Sequence, residues 1–593
     1  MKSTEKLNAG EQQNILIESA LNVGYYPMLI TGEGLGTQED LQTGGALLIT
    51  LDTRANLLRF PGFSNSSLPE TAILEYEQEI SAAMQIAFRD VAPVVITKEE
   101  SFYQAMSSLL EKSVNDAKGM GARVVNLDRF IESGNVQPGQ DYTNISVGRT
   151  ITKDGIIIDA RPGELTLKEQ LSQLRIDMQN NGQTKLIIID DGLFDIECLE
   201  TYESIFDGFQ IAGYYVGVGP YGDGELNTIP YLQSQGKVVE AVLPANNFKD
   251  WVCSRDYAPW GGKLTQSGDS NYFTIPYFAP FSDGSAASIP PERLIPVSRA
   301  ILTANLRLFR SLEQSQNRQI TFADFVVAGY GLPTSNTGMM RSAEPSESVT
   351  NYLAECLITL DSDYPSSNLV NQLSPDISPV DELTRTRLEL LDANYGDKLI
   401  ILVGSSGTGR STIARGLTDT RYFTRLKRDT TRSLRSQTEA DEITQVEKAS
   451  FLQRYANPNS SDQIIAAVKY AANDQLYGVS LKTIQELNQL SLTQYAVIEG
   501  TGDVLSLKQL LPSAQVIVVL PPSIESLGSR LTDRGDADTQ TRLDQSKREL
   551  SETFKLLPDL IKSGFIDLVI TNDDVDTSVD AILNYLSNQE KVI

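Results

Sequence analysis

The chain has 593 residues, more than one hydrophobic core organises, so two to four globular parts are expected. Asp and Glu outnumber Lys and Arg by 77 to 50, a net charge of -27 that would repel a phosphate backbone and argues against generic nucleic-acid binding. Histidine is absent, which removes every mechanism built on an imidazole and leaves carboxylates, Arg, Lys, hydroxyls and thiols to do the chemistry.

The opening "MKSTEKLNAGEQQ" is polar, and no uncharged apolar run approaches the length of a membrane span, so neither export nor a membrane partner is expected. Cys198, Cys253 and Cys356 are far apart and fit no zinc-ligand spacing; they are too few for a disulfide framework, and a reducing cytoplasm fits them best.

Apolar runs in the first 360 residues predict buried strands: "ALLITLD" from Ala46, "PVVIT" from Pro93, "KLIIIDDG" from Lys185, "YYVGVG" from Tyr214 and "VVEAVLP" from Val238. Residues 1–360 are therefore expected to form an α/β region. In "KLIIIDDGLFDIECLETYESIF" a strand ends on Asp190 and Asp191 before a helical pattern. This stretch resembles the type I phosphoribosyltransferases, in which a paired acid motif holds ribose hydroxyls, and the resemblance implies a ribosyl-phosphate ligand for Asp190 and Asp191. The phosphate loop that should follow is replaced by Asp195, Ile196, Glu197 and Cys198, and two carboxylates there would repel a phosphate, so either the ligand differs or the transferase chemistry is gone. An acidic pair that ends a strand and caps the next helix accounts for the same residues, and both readings stay open.

"FKDWVCSRDYAPWGG", from Phe248, holds Trp251 and Trp260 with Cys253, Arg255 and Asp256 between them. It reads either as a stacking pocket for a base or sugar, or as a local aromatic cluster with an Arg–Asp pair.

"DSDYPSSNLVNQLSPDISPVDELT", from Asp361, is rich in Ser, Pro and Asp without sustained periodicity, and predicts a linker over 361–396. From 397 to 593, strand-like runs "KLIILVG", "YAVIEG", "QVIVVLPP" and "FIDLVITN" alternate with amphipathic segments, the rhythm of a mostly parallel sheet with helices on both faces.

Within it, "GSSGTGRST" follows an apolar strand and opens a helical pattern, the context that gives a phosphate-binding loop its meaning. Backbone amides from Gly404, Ser405, Ser406, Gly407, Thr408, Gly409, Arg410, Ser411 and Thr412 would surround the phosphates of ATP, and Ser411 would hold Mg²⁺. Arg410 stands where the usual pattern has lysine, and a planar guanidinium does not replace a flexible ammonium conservatively.

From Lys398 to about Asn588 the chain resembles the guanylate kinase family, through "RDTTRSLR", "LYGVS", "VVLPPSIESLGSRLTDRG" and "TRLDQSKRE" in that order. The resemblance implies a P-loop nucleoside-monophosphate-kinase-like fold in which Arg432, Arg435, Tyr477 and Glu499 bind the acceptor while Arg530, Arg534 and Arg542, with Arg410, act on the transferring phosphoryl group. Phosphoryl transfer needs in-line positioning and neutralised oxygens, which Arg forks and Mg²⁺ supply without histidine.

Several positions depart from that family. Its base-reading Glu falls on or beside Val468 and Lys469, its YGT hydroxyl is replaced by Val479, and the later acidic pair reads "EGTGD", with Thr501 in the second place. A guanine pocket pairs acidic groups with the base's N–H donors, so these changes argue against GMP and for another small acceptor. The related ribose 1,5-bisphosphate phosphokinases share the scaffold and need no base reader, and "YGVSLKTIQEL" is similar to them. The sequence thus predicts an ATP-dependent phosphotransferase for a nucleotide or ribosyl phosphate, with a non-catalytic binding module on the same fold as the alternative.

Overall fold

The computed structural model describes residues 28–31, 34–35, 46–88, 94–128, 130–152, 155–161, 164–192, 196–219, 232–244, 248–267, 271–284, 289–326, 331–363, 380, 382–434, 437–470, 475–491, 494–500, 502–533 and 539–590. The chain divides into two compact units, Met1–Ser348 and Val349–Ile593.

In the N-terminal unit the apolar runs become strands of three sheets. One sheet is wholly parallel, in the order Val238–Pro244, Gln210–Gly219, Lys185–Gly192, Ala122–Asn126, Tyr142–Asn144. Its central strand, Lys185–Gly192, carries a continuous apolar run because both faces are covered: Ile187 and Ile189 pack beneath Met106 and Leu110, while Leu186 and Ile188 pack against Leu174 and Tyr202. The other two sheets mix parallel and antiparallel pairs.

The C-terminal unit is a doubly covered parallel sheet in the order Phe423–Arg425, Tyr495–Gly500, Leu399–Val403, Gln515–Leu520, Leu568–Thr571. The strand alternation of Leu399–Val403 builds both faces. Ile400 and Leu402 meet Ile413, Leu417, Val579 and Ile582 from the helices Arg410–Asp419 and Val575–Glu590. Leu399, Ile401 and Val403 meet Leu388, Leu391, Leu507 and Leu527 on the other side. A second, four-stranded sheet, Ile443–Gln445, Arg428–Thr430, Gln475–Ser480, Ile464–Tyr470, carries parts of the "RDTTRSLR" and "LYGVS" motifs.

The division at Ser348 and Val349 differs from the expected one. The helix Val349–Asp363 belongs to the C-terminal unit: its fully buried Glu355 pairs with Lys448 at 2.8 Å and Lys469 at 3.7 Å, and Ser362 Oγ accepts from the Lys469 amide at 2.6 Å. The described part of the segment read as a linker contains the helix Glu382–Tyr395, which buries Leu388 and Leu391 together with the preceding Val380. Ser, Pro and Asp in 361–379 dominate the composition and mask the apolar spacing that follows. Among the described residues no helix is long and apolar enough to cross a membrane.

Candidate functional site

The phosphate loop begins where the buried strand Leu399–Val403 ends. Gly407 and Gly409 take φ of 88° and 92°, the left-handed region in which a side chain is strained. The loop's carbonyls are turned into the protein. Thr408 O accepts from Asn572 Nδ2 at 2.7 Å, Ser405 O from Thr408 Oγ1 at 3.0 Å, and Ser406 O from Ser546 Oγ at 3.3 Å. With these carbonyls engaged and the helix Arg410–Asp419 opening immediately after, the N-terminal helix amides and dipole favour an anion.

Ser411 Oγ donates to Glu499 Oε1 at 2.9 Å. Glu499 ends the neighbouring strand and is only 12% exposed; Arg425 Nη2 donates to the same oxygen, while Glu499 Oε2 is buried with no hydrogen-bond partner. Burial alone would raise the Glu499 carboxyl, but Arg425, Arg410 and Arg428 and the Ser411 hydroxyl hold it below its ordinary value. A hydroxyl and an ionised carboxylate with an orphaned oxygen at a phosphate loop suit Mg²⁺, which takes few protein ligands and completes its shell with phosphate and water. Arg410 Nη1 donates to Gly500 O, so its fork is anchored at the end of the Glu499 strand. Arg425 also pairs with Glu442 at 2.9 Å, as does Arg415.

Just beyond the strand Arg428–Thr430, Arg432 Nε donates to Tyr477 Oη at 3.1 Å and its fork grips Glu439 at 3.1 and 3.2 Å. The antiparallel register sets Thr430 opposite Tyr477 and Tyr477 opposite Val468. Val468 and Tyr470 are buried on this face, and the Tyr470 and Tyr477 rings meet edge to face at 6.3 Å.

The arrangement redistributes the predicted roles. Glu499, read as an acceptor residue, sits with Ser411 and the arginines of the phosphate loop, because Leu402 and Glu499 are register partners. Arg530 binds the loop itself, through Asn572 O at 2.8 Å and Thr408 O at 3.5 Å. Arg542 lies half-buried on the helix Thr539–Lys562. Arg435, Arg534 and Thr501 lie outside the described residues. Arg425, Glu442 and Asn572 were not singled out from sequence; the one available signal was an R-x-x-R spacing, Arg425 to Arg428, just before the TTR segment in a strongly acidic chain.

In the N-terminal unit Asp190 and Asp191 stand at the C-terminal end of a central parallel strand, where crevices form in open α/β sheets. Asp190 is engaged locally: its Oδ1 accepts from the Asp191 amide at 2.9 Å, and its Oδ2 accepts from Tyr202. Burial and then the neighbouring Asp128 and Asp190 push the Asp191 carboxyl well up, against the pull of Arg255 and Arg161. Asp195 and the Cys198 side chain lie outside the described residues. Trp260 is buried and stacks on Phe325 at 4.3 Å with Phe60 and Phe309 edge-on, so it is core and cannot stack a ligand. Arg255 turns over the Phe130 ring at 4.4 Å, and Asp256 accepts from the Cys253 amide at 2.8 Å. The Trp251 side chain is outside the described set.

A carboxyl whose native value is raised contributes stability below its unfolded value, near 4, that is lost as pH climbs through the native value. Asp191→Asn is therefore expected to stabilise the N-terminal unit at pH 7 by about 1–2 kcal/mol and to flatten its pH dependence above pH 4. Both tryptophans lie in this unit, so urea unfolding followed by tryptophan fluorescence reads it. An unchanged midpoint at pH 7 would show that Asp191 carries no burial penalty.

A family profile described as "Guanylate kinase" matches residues 396–589. The guanylate kinase of Synechocystis sp. is 28% identical over 201 residues, covering 32% of this chain and 95% of that protein. That of Corynebacterium jeikeium is 30% identical over 197 residues, covering 33% of this chain and 98% of that protein. The crystal structure of guanylate kinase from Anaplasma phagocytophilum is 20% identical, with a TM-score of 0.24, covering 32% of this chain and 84% of that one.

Proposed function

Because the chain belongs to the guanylate kinase family through residues 396–589, we propose that its C-terminal unit transfers the γ-phosphoryl group of ATP to the phosphate of a small acceptor other than GMP. The observation that carries this reading is the Ser411–Glu499 hydrogen bond with Glu499 Oε2 left without a partner. A fold kept only as a scaffold has no need of an ionised carboxylate, partly orphaned and buried, beside a phosphate loop.

In this mechanism the loop amides and Arg410 would hold the nucleotide phosphates, and Ser411 with Glu499 would hold Mg²⁺. The ion, when bound, neutralises charge on the phosphate oxygens. Arg432 and Tyr477 fix the acceptor phosphate, one oxygen of which attacks the γ-phosphorus in line. The bond from that phosphorus to the bridging oxygen breaks, and ADP leaves with the bridging oxygen. Arg530 keeps the loop in shape through Thr408 and Asn572, while Arg542 would neutralise charge on the transferring group. Arg432 must exchange Glu439 for the acceptor phosphate, a like-for-like replacement of one anion by another. GMP is disfavoured because buried Val468 faces Tyr477 where a guanine reader would need an acceptor for the base's N–H groups.

The reading extends to the N-terminal unit as a ribosyl-phosphate site at Asp190 and Asp191, supported by their position at the end of a parallel strand. Tethering would then give the two units a shared intermediate at high effective concentration.

Turnover of Mg²⁺-ATP against nucleoside monophosphates and ribose phosphates tests the proposal. A ribose phosphate should be consumed in preference to GMP, and Ser411→Ala combined with Arg432→Ala should lower the rate by at least about a hundredfold. GMP as the best acceptor, or a rate unchanged in the double variant, would refute it.

A further inference from the structure

Arg432 is oriented by its own surroundings. Its backbone amide donates to Thr430 Oγ1 at 3.1 Å at the end of the strand Arg428–Thr430, its Nε donates to Tyr477 Oη at 3.1 Å, and its Nη1 donates to Ser433 O at 2.9 Å. These contacts fix the plane of the guanidinium. The edge formed by Nη1 and Nη2 is taken by both oxygens of Glu439, at 3.1 and 3.2 Å. That edge is one that accommodates two oxygens of a carboxylate or a phosphate side by side.

Glu439 sits on the short turn Gln437–Asp441, and the turn has other anchors. Ala440 O accepts from Lys427 Nζ at 2.8 Å, Glu439 O accepts from the Glu442 amide at 2.9 Å, and Glu442 pairs with Arg415 and Arg425 at 2.9 Å each. The turn and the guanidinium are thus each held by contacts outside the Arg432–Glu439 pair. The two side chains are only 14% and 18% exposed, so solvent screens their attraction weakly.

We infer that Glu439 is a built-in competitor for the acceptor phosphate, an autoinhibitory contact that fills the two-pronged edge of Arg432 while the site is empty. A phosphate binds there only in the fraction of molecules whose Glu439 has swung away, so its apparent affinity is the intrinsic one reduced by that fraction. Breaking a charge-assisted, two-pronged pair costs enough to keep the open fraction at about a tenth or below. The inference rests on the proposed function only in placing the acceptor phosphate at Arg432 and Tyr477. Its sign separates it from a supporting role: a carboxylate that merely held Arg432 in position would weaken phosphate binding when removed, whereas removal of a competitor strengthens it.

Calorimetric titration of the full chain with ribose 5-phosphate tests it, in wild type, Glu439→Gln and Glu439→Ala, each with and without Arg432→Ala. Binding that Arg432→Ala abolishes is that of this site, and binding that survives belongs elsewhere in the chain. Glu439→Gln should tighten the Arg432-dependent binding by about tenfold, and Glu439→Ala by as much or more. Thermal unfolding without ligand shows that the variants fold, and the alanine variant carries the test if the glutamine one does not. Arg432-dependent binding that is unchanged or weaker in a folded Glu439 variant, or absent from wild type and both variants alike, would overturn the inference. Tightened binding without phosphoryl transfer from Mg²⁺-ATP to any acceptor would support it while sinking the kinase reading. Transfer to ribose 5-phosphate with a KM indifferent to Glu439→Gln would do the reverse.

Discussion

Glu499→Gln is expected to destabilise the C-terminal unit by about 3–5 kcal/mol, the cost of removing one member of a buried charge network. The side chain is 12% exposed, and the charges of Arg425, Arg410 and Arg428 all bear on it. A glutamine would keep one acceptor oxygen but turn an N–H toward guanidiniums, leaving three positive groups with less compensation. The pH dependence has a definite sign. A carboxyl held below its unfolded value stabilises the fold above that value, near 4.3, and the contribution fades as pH falls through the native one. Wild type should therefore lose stability below about pH 4.3 by a component that Glu499→Gln lacks. Tryptophan fluorescence is blind to this unit, so hydrogen exchange in Leu399–Val403 and Tyr495–Gly500 is the measurement. Equal protection in variant and wild type would mean that the arginines do not depend on Glu499.

That cluster also shows where sequence reasoning stops. The loop was legible because its signal is local: an apolar strand, glycines at fixed offsets, then an amphipathic helix. Glu499 was singled out, but for the acceptor; its place beside the loop was not legible, because its neighbours come from strand register. Leu402 opposite Glu499 and Arg425 opposite Val497 bring Ser411 and Arg425 to Glu499 from 88 and 74 positions away, and no short window along the chain contains them together. The parallel sheets were visible as continuous apolar runs, a pattern that follows from burial on both faces. The helices Val349–Asp363 and Glu382–Tyr395 were missed as parts of the C-terminal unit because they flank a Ser- and Pro-rich stretch that dominates any compositional average. Trp260 was ambiguous for another reason: the partners that make it core, Phe60, Phe309 and Phe325, are distant in sequence.

Arg410 gains a physical account from the same register. A lysine at this position is a point charge free to follow the phosphates, whereas the guanidinium spans from the loop helix to Gly500 O and adds its charge to those around Glu499. The loop, the strand end and the strand Arg428–Thr430 are thereby linked by a network of arginines around Glu499. Nucleotide binding must work within that network, which ties that strand and the phosphate loop together electrostatically.

Gly409→Ala is expected to reduce ATP affinity by at least about a hundredfold, since a displacement near 1 Å in a phosphate-aligning loop has effects of that size. Two costs combine. The residue has φ of 92°, where an L side chain adds about 1–2 kcal/mol of strain. The new Cβ would also fall 2.1 Å from Asn572 Nδ2, too close for any real contact. Asn572 cannot simply withdraw. It is 2% exposed, donates to Thr408 O at 2.7 Å, and accepts from Arg530 at 2.8 Å and from Ser578 at 3.3 Å. Relief must therefore come from the loop, which would swing away and misalign its amides. Gly564→Ala is the matched control: φ is 72°, but nothing lies within 4 Å of the added Cβ. It should lower stability by about 1 kcal/mol and leave ATP affinity unchanged. Titration of both variants with ATP separates backbone strain from loop geometry. Equal ATP affinity in Gly409→Ala and wild type would mean that this loop does not cradle the nucleotide.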